Sequence, residues 1–383
     1  MAKRTLTWVL IGLAVPCPRI GRATPPAGRA RPMLLACYYV WYRTGEDKQS
    51  PWSNWTRKEA QASPEARRTR RPGEPPLSSA AYPLAGLYDS GDPAVAAWHV
   101  ALAKAAGIDA FLVSWWDRFR GRDRSFETGI LAAAEKHGFK VALLDERAQY
   151  HSDFAQYQQM LARALGKYKD SPAYLRVGGR PAVYLYQVAA RPSLTPAKFA
   201  RLKRHVESAV GPVYWIVDKI AHDPRAQAAG QADRVKTIPA DWLAETGVDG
   251  FGFYSAFSNF RAHRYEELIG KYRHMTKLAH EAGHKMLLPV HPGHDNRRFN
   301  PQPYLMPRRD GQTLRDYLRA AEEAGADFLL VTSWNEWPET TVVEPAATWA
   351  DPYLYLRILA EWRRARFVPP PEPPFVKRQR ARP

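Results

Sequence analysis

One pattern recurs five times along this chain and restricts its fold more than any other. A helical stretch ends at a glycine, and a short apolar run follows at once. The copies are AAGIDAFLVSWW (105–116), KHGFKVALLDE (136–146), ETGVDGFGFYS (245–255), EAGHKMLLPVHP (281–292) and EAGADFLLVTSWNEW (323–337). A glycine just past a helix takes the left-handed conformation that closes the last turn. A run of four to six apolar residues without alternation reads as a strand buried on both faces. LLACYYVWY (34–42), RPAVYLY (180–186) and PVYWIVD (212–218) bring the strand candidates to eight.

Helical patterns fill the intervals, over about 93–106, 126–137, 153–168, 196–209, 263–282, 313–324 and 352–364. Asp92-Pro93 and Thr195-Pro196 each supply an N-cap followed by a first-turn proline. Strand and helix alternating in this way predict an α/β fold, a single-domain (β/α)8 TIM barrel over residues 33–368. The competing arrangement is an open doubly wound sheet, but no glycine-rich phosphate turn follows any of the strands. Two regions stand outside the repeat. Residues 43–86 form a long loop after the first strand, of a length that is usually functional or mobile. Residues 369–383, PPPEPPFVKRQRARP, read as a disordered Pro/Arg-rich tail.

The formal net charge of +18 would suit nucleic acid or an anionic surface. The basic residues cluster, however, in segments that flank or interrupt the repeat: residues 19–32, 67–71 and 377–383. No zinc-finger spacing, basic zipper or aromatic single-strand motif accompanies them, so no specific nucleic-acid partner is expected. Two cysteines, Cys17 and Cys37, allow neither a disulfide framework nor a CxxC metal site. Residues 1–32 form a signal-like, basic N-terminal segment. Lys3 and Arg4 precede the apolar run LTWVLIGLAV and then Pro16-Cys17, a run too short to span a bilayer as a mature helix. Export to the periplasm or exterior is expected, with Cys17 as a candidate lipid attachment point.

In a parallel barrel the active site lies at the carboxyl ends of the strands. Tyr39 and Trp41 follow the first run, Trp115 and Trp116 the second, and Glu146 the third. Tyr186 follows the fourth, Tyr254 the sixth, and His291 and His294 the seventh. The last strand runs into Asn335, Glu336, Trp337 and Glu339, with Glu344 beyond. An aromatic cup holding several carboxylates suits glycosidic chemistry. It offers flat faces for sugars, an acid for the leaving oxygen, and a second carboxylate as nucleophile or base. Plainer readings stand beside these: Trp115 and Trp116 as barrel-end packing, Glu146 as a rim ion pair, His291 and His294 as hydrogen-bonding side chains. The two histidines of HPGHD are too few to define a metal centre. Glu336 and Glu339 are the sharper signal. Two carboxyls so close between tryptophans repel each other, which raises the pKa of one and suits a protonated general acid.

At these residues a family comes into view. TSWNEWPETTVVEPA resembles the eighth-strand signature of glycoside hydrolase family 99, the endo-α-1,2-mannosidases and mannanases, and of the wider set of family-99-like proteins. ACYYVWY, YDSGDPAVAAWHVALAKAAGIDAFLVSWW, KVALLDE and GVDGFGFY are similar to its first, second, third and sixth strands, so the resemblance runs from about residue 33 to 365. It implies a (β/α)8 barrel without metal or other cofactor, an oligosaccharide or polysaccharide substrate, and retention of anomeric configuration. It implies that Glu336 acts as base on the sugar's own 2-hydroxyl and Glu339 as general acid/base. Ordinary retaining enzymes hold their carboxyls ~5–5.5 Å apart, with one attacking the sugar directly. A base that need only reach a neighbouring hydroxyl can share a loop with the acid. Tyr39, Trp116, Glu146 and Tyr254 become subsite residues. Pro338 and Thr340 stand where members usually carry His and Gly, Gln187 where they carry Asp, and His294 near an expected Tyr. The alternatives are a catalytically silent carbohydrate-binding barrel or a family-99-like protein associated with polysaccharide biosynthesis.

Overall fold

The computed structural model describes residues 31–44, 52–68, 71–118, 121–147, 153–186, 188, 194–222, 236–255 and 265–380. Eight strands form the barrel: β1 (Met33–Tyr38), β2 (Ala110–Trp115), β3 (Lys140–Asp145), β4 (Arg180–Leu185), β5 (Tyr214–Asp218), β6 (Gly250–Gly252), β7 (Lys285–Val290) and β8 (Phe328–Val331). All neighbours are parallel. β1 pairs with both β2 and β8, and the sheet closes where Leu143 of β3 meets Val183 of β4. The outer layer is α1 (Pro93–Ala105), α2 (Ala132–His137), α3 (Phe154–Tyr168), α4 (Pro196–Val210), α5 (Ala240–Glu245), α6 (Tyr265–Glu281), α7 (Gln312–Glu323) and α8 (Leu354–Trp362).

Local chemistry accounts for the element boundaries. Asp92 accepts the Ala94 N–H and Thr195 the Lys198 N–H, so α1 and α4 begin at side-chain caps. The five glycines of the repeat all have positive φ, from +61° at Gly138 to +81° at Gly283. The strands are buried along almost their whole length, which is why they read as unbroken apolar runs. Gly252 of β6 is glycine because the barrel interior is filled there: a Cβ would lie 3.2 Å from the Tyr184 ring. A π-helical turn (Phe126–Leu131) leads into α2, and α5 was not evident in the sequence, although Trp242 buries its ring there.

The C-terminal stretch departs from expectation. Residues 374–380 are not disordered but form α9 (Pro374–Arg380), with Val376 buried and Phe375 edge-on to Trp98 of α1, centroids 6.0 Å apart. Two apolar residues in a Pro/Arg-rich tail suffice to dock it, and the Arg380–Glu372 ion pair and the Tyr353–Glu372 hydrogen bond hold the turn. Residues 1–30 of the signal-like segment, Cys17 among them, lie outside the described residues, as does Gln187. Among the described residues no helix is long and apolar enough to cross a membrane.

Candidate active site

The carboxyl ends of β1 and β8 are stitched together by one side chain. Asn335 Oδ1 accepts the Tyr39 N–H at 2.7 Å, and its Nδ2 donates to the Tyr39 carbonyl at 3.0 Å and to the Tyr88 hydroxyl at 3.2 Å. Asn335 is 0% exposed. The Tyr42 hydroxyl donates to the Asn335 carbonyl and receives the Trp337 N–H. Behind this seam lies Glu344, also fully buried. It accepts from Tyr88 Oη at 2.8 Å and Trp337 Nε1 at 3.0 Å, and its other oxygen meets His99 Nε2 at 3.1 Å. His99 Nδ1 in turn meets Tyr38 Oη at 3.0 Å. Every member of this network has a partner, as a buried polar cluster must.

On the other side of the seam the same loop presents Glu336 and Glu339. The Glu336 N–H is fixed by Ser333 Oγ at 2.7 Å. The residue is 3% exposed, and its Oε1 has no hydrogen-bond partner among the described residues. Burial, then repulsion from Glu339, pushes Glu336 well above the usual carboxylate range. Burial also raises Glu339, although that side chain is 34% exposed. Arg57, half-buried with its guanidinium over the Phe299 ring at 4.4 Å, pulls both downward. The pair titrates jointly, and repulsion between its members favours a single shared proton over two carboxylates.

Around the pair stands an aromatic and charged wall. Trp41 stacks on Tyr39 at 4.4 Å, and the Tyr39 and Tyr254 hydroxyls share a hydrogen bond at 2.6 Å. Tyr186 packs edge-on against Tyr254. The Arg122 guanidinium sits between Trp41 and Trp116, 5.1 and 4.6 Å from their rings. Ser114 Oγ donates to Glu146, and Trp116 Nε1 donates to Ser114 Oγ. Burial raises Glu146 to about 7, against the downward pull of Ser114 and Arg122.

The structure therefore brings Tyr39, Trp41, Trp116, Glu146, Tyr186, Tyr254, Glu336 and Glu339 to one mouth, and it assigns different work to four other residues. Asn335 and Trp337 are fully buried with their polar atoms spent inside the wall, so they brace it and do not face a ligand. His291 is 0% exposed, with Nδ1 on the Thr332 carbonyl and its ring edge-on to Tyr317. Trp115 follows Ser114 on the strand and so takes the opposite face, where it is buried. Among the described residues, His294 is the histidine that approaches the carboxyl pair, with Nε2 3.8 Å from Glu339 Oε2. Among the described residues no group of three or more His, Cys, Asp or Glu side chains is arranged to hold a metal ion.

Arg57 and Arg122 were not evident from the sequence. Arg57 belongs to the long loop, whose Trp55 is clamped between Tyr42 and Tyr88 at 4.3 and 5.0 Å. That loop reaches the Glu336–Glu339 loop directly, with the Ala80 N–H on Thr340 Oγ1 at 3.1 Å. Its length was the available signal. Arg122 could have been suspected from its closeness to the tryptophans ending β2.

The chain matches the family model for Glycosyl hydrolase family 99 over residues 31–360. It is 24% identical to a glycoprotein endo-alpha-1,2-mannosidase of Rattus norvegicus over 378 residues, covering 85% of this chain and 73% of the relative. It is 24% identical to a glycoprotein endo-alpha-1,2-mannosidase-like protein of Danio rerio over 359 residues, covering 85% and 76%. The fold superposes on a family-99 endo-alpha-mannosidase from Bacteroides thetaiotaomicron with TM-score 0.67 at 20% identity, over 91% of this chain and 98% of that one.

Proposed function

The chain belongs to glycosyl hydrolase family 99, and from that premise we propose that it cleaves α-linked, mannose-configured glycans within the chain and with retention, through Glu336 and Glu339. The observation that carries this reading is the pair itself. Two carboxyls with raised pKa, Glu336 buried and Glu339 partly exposed, stand on one loop at the barrel mouth, and Glu336 Oε1 is unpartnered among the described residues. The relatives named as endo-alpha-mannosidases support the substrate class.

In the first step Glu336, ionised, takes the proton of the sugar's 2-hydroxyl. O2 attacks C1, and the C1–O bond to the leaving sugar breaks with its electron pair going to oxygen. That oxygen takes the proton of Glu339. A 1,2-anhydro sugar results, with Glu336 protonated and Glu339 ionised. In the second step water attacks C1 while Glu339 removes its proton. The C1–O2 bond opens, and O2 recovers its proton from Glu336. Two inversions give net retention, and the enzyme returns to its starting protonation. Tyr39, Trp41, Trp116 and Tyr254 supply the faces and hydroxyls against which the sugars seat.

The test is product analysis on an α-1,2-linked manno-oligosaccharide. Internal cleavage, with the α-anomer appearing first by proton NMR, is the expected result. Release of single terminal sugars, or of the β-anomer first, would overturn the reading.

A further inference from the structure

The proposed division of labour raises a difficulty that burial alone does not solve. Glu336 is buried, whereas Glu339 is partly exposed. Desolvation therefore favours leaving the shared proton on Glu336, the group that must be ionised to act as a base. Arg57 acts on both members and does not separate them. Arg122 acts on Glu336 and favours its ionised form, while Glu146 opposes it. Something near Glu339 has to attract the proton.

His294 has the geometry to do so. Its Nδ1 lies 3.3 Å from the Tyr304 carbonyl, across the short antiparallel pairing of residues 294–295 with 305–306. A carbonyl only accepts, which assigns a proton to Nδ1. In a neutral imidazole Nε2 is then a bare lone pair, and Nε2 is the atom that points at Glu339 Oε2, 3.8 Å away. The two loops are tied at the same place, since the Asp295 N–H donates to the Glu339 carbonyl at 2.8 Å. Glu339 Oε2 is itself buried and has no hydrogen-bond partner among the described residues; a move of about an ångström makes an O–H···N hydrogen bond, and catalytic hydrogen bonds commonly close in this way when substrate enters.

Building on the proposed roles of Glu336 and Glu339, we propose that His294 is a positioning residue for the general acid: its Nδ1–H is spent on Tyr304, and its Nε2 lone pair holds the proton on Glu339 and leaves Glu336 free to ionise. The rest of the surroundings fit. Burial lowers the His294 pKa to about 4, so the ring is neutral over the working range even with Asp295 beside it, and His291 behind it is neutral for the same reason. Among the described residues, the other groups facing Glu339 are Glu336, Arg57, Tyr254 and Tyr186. The tyrosines offer hydroxyls but no lone pair as basic as an imidazole nitrogen. The device also has an acid limit. As pH falls through about 4, Nε2 takes a proton and becomes a donor, and the charged ring then favours Glu339 as carboxylate.

Two substrate-free measurements test this, so that failure of the α-mannoside reading and failure of this one are told apart. Nitrogen-15 NMR of the histidine side chains should show His294 neutral at pH 7 with its proton on Nδ1. Infrared titration of protein with carbon-13-labelled glutamate should show a protonated-carboxyl band that disappears in Glu339→Gln, which assigns it. His294→Asn keeps a donor near the Nδ1 position and removes the acceptor. It should lower the midpoint of that band by about one pH unit, tenfold in proton affinity, with the unfolding temperature near wild type. His294→Gln, which can place an amide oxygen near Nε2, should recover part of the shift. A proton found on Nε2, or an unmoved midpoint in a folded His294→Asn protein, would overturn the proposal.

Discussion

Replacing Asn335 by Asp changes two hydrogens and an element, yet it should be among the more damaging single substitutions in this barrel. Asn335 accepts the Tyr39 N–H and donates to the Tyr39 carbonyl, at 2.7 and 3.0 Å, with no exposure to solvent. Asn335→Ala leaves one buried N–H and one buried C=O without partners. At ~1–3 kcal/mol each the loss is about 4 kcal/mol, roughly 5 °C in Tm for a chain of this size. Asp keeps the acceptor but turns an oxygen toward the Tyr39 carbonyl, which it can bond only when protonated. Its folded pKa is therefore raised above the ordinary ~3.9. The stability of Asn335→Asp should approach wild type below about pH 4 and fall away as pH rises through the raised folded value. Urea denaturation at pH 4 and pH 8 measures this directly. A variant that tracks wild type at both values would refute the brace and return Asn335 to the list of groups free to meet a ligand.

Three further outcomes follow from the same site. Arg122→Lys removes the planar cation from between Trp41 and Trp116, 5.1 and 4.6 Å from their rings. It should cost about 1–2 kcal/mol in urea denaturation, and an unchanged midpoint would contradict the stacking. His291, held at about 3 by burial, is neutral in the fold. Its contribution is complete above pH ~6.5 and is lost as pH falls, on the order of 3 kcal/mol by pH 4, so His291→Gln should flatten the acid limb of stability against pH. Glu146 has the opposite sign. With its pKa raised to about 7, its contribution is present below the ordinary carboxylate value and is lost as pH rises through 7. Glu146→Gln should therefore gain stability relative to wild type at pH 8, and no such gain would mean that the buried carboxyl has compensating partners.

The barrel was legible in the sequence because five of its eight strands follow a glycine-capped helix and all eight read as short apolar runs. Closure between β3 and β4 was an inference from the count of strands, since no local signal encodes that pairing. Side-chain direction was legible only as far as the pleat persists. Ser114 and Trp115 could have been assigned to opposite faces by parity, but β8 ends at Val331, so parity cannot orient Asn335, Glu336 or Trp337. Composition there, a polar cluster between tryptophans, marked the loop as important without saying which groups face the cup and which lock it. Glu344 stood in plain view beyond the pair, and only the long-range contacts with Tyr88 and His99 show that it is a brace. Arg57 reaches the carboxyls from a different loop, a proximity that no sequence spacing records. The tail was misjudged because composition averaged over residues 369–383 hides two apolar residues with a place to dock.

The most direct test of the central claim is single-turnover fluoride release from an α-configured oligomannosyl fluoride by wild type, Glu336→Gln and Glu339→Gln. Fluoride departs without a proton, so the first step needs the base and not the acid. Glu339→Gln should release fluoride within about tenfold of wild type, whereas Glu336→Gln should fall by roughly 10²–10⁴. Equal loss in both variants, or release by Glu336→Gln at the wild-type rate, would contradict the roles given to the two glutamates.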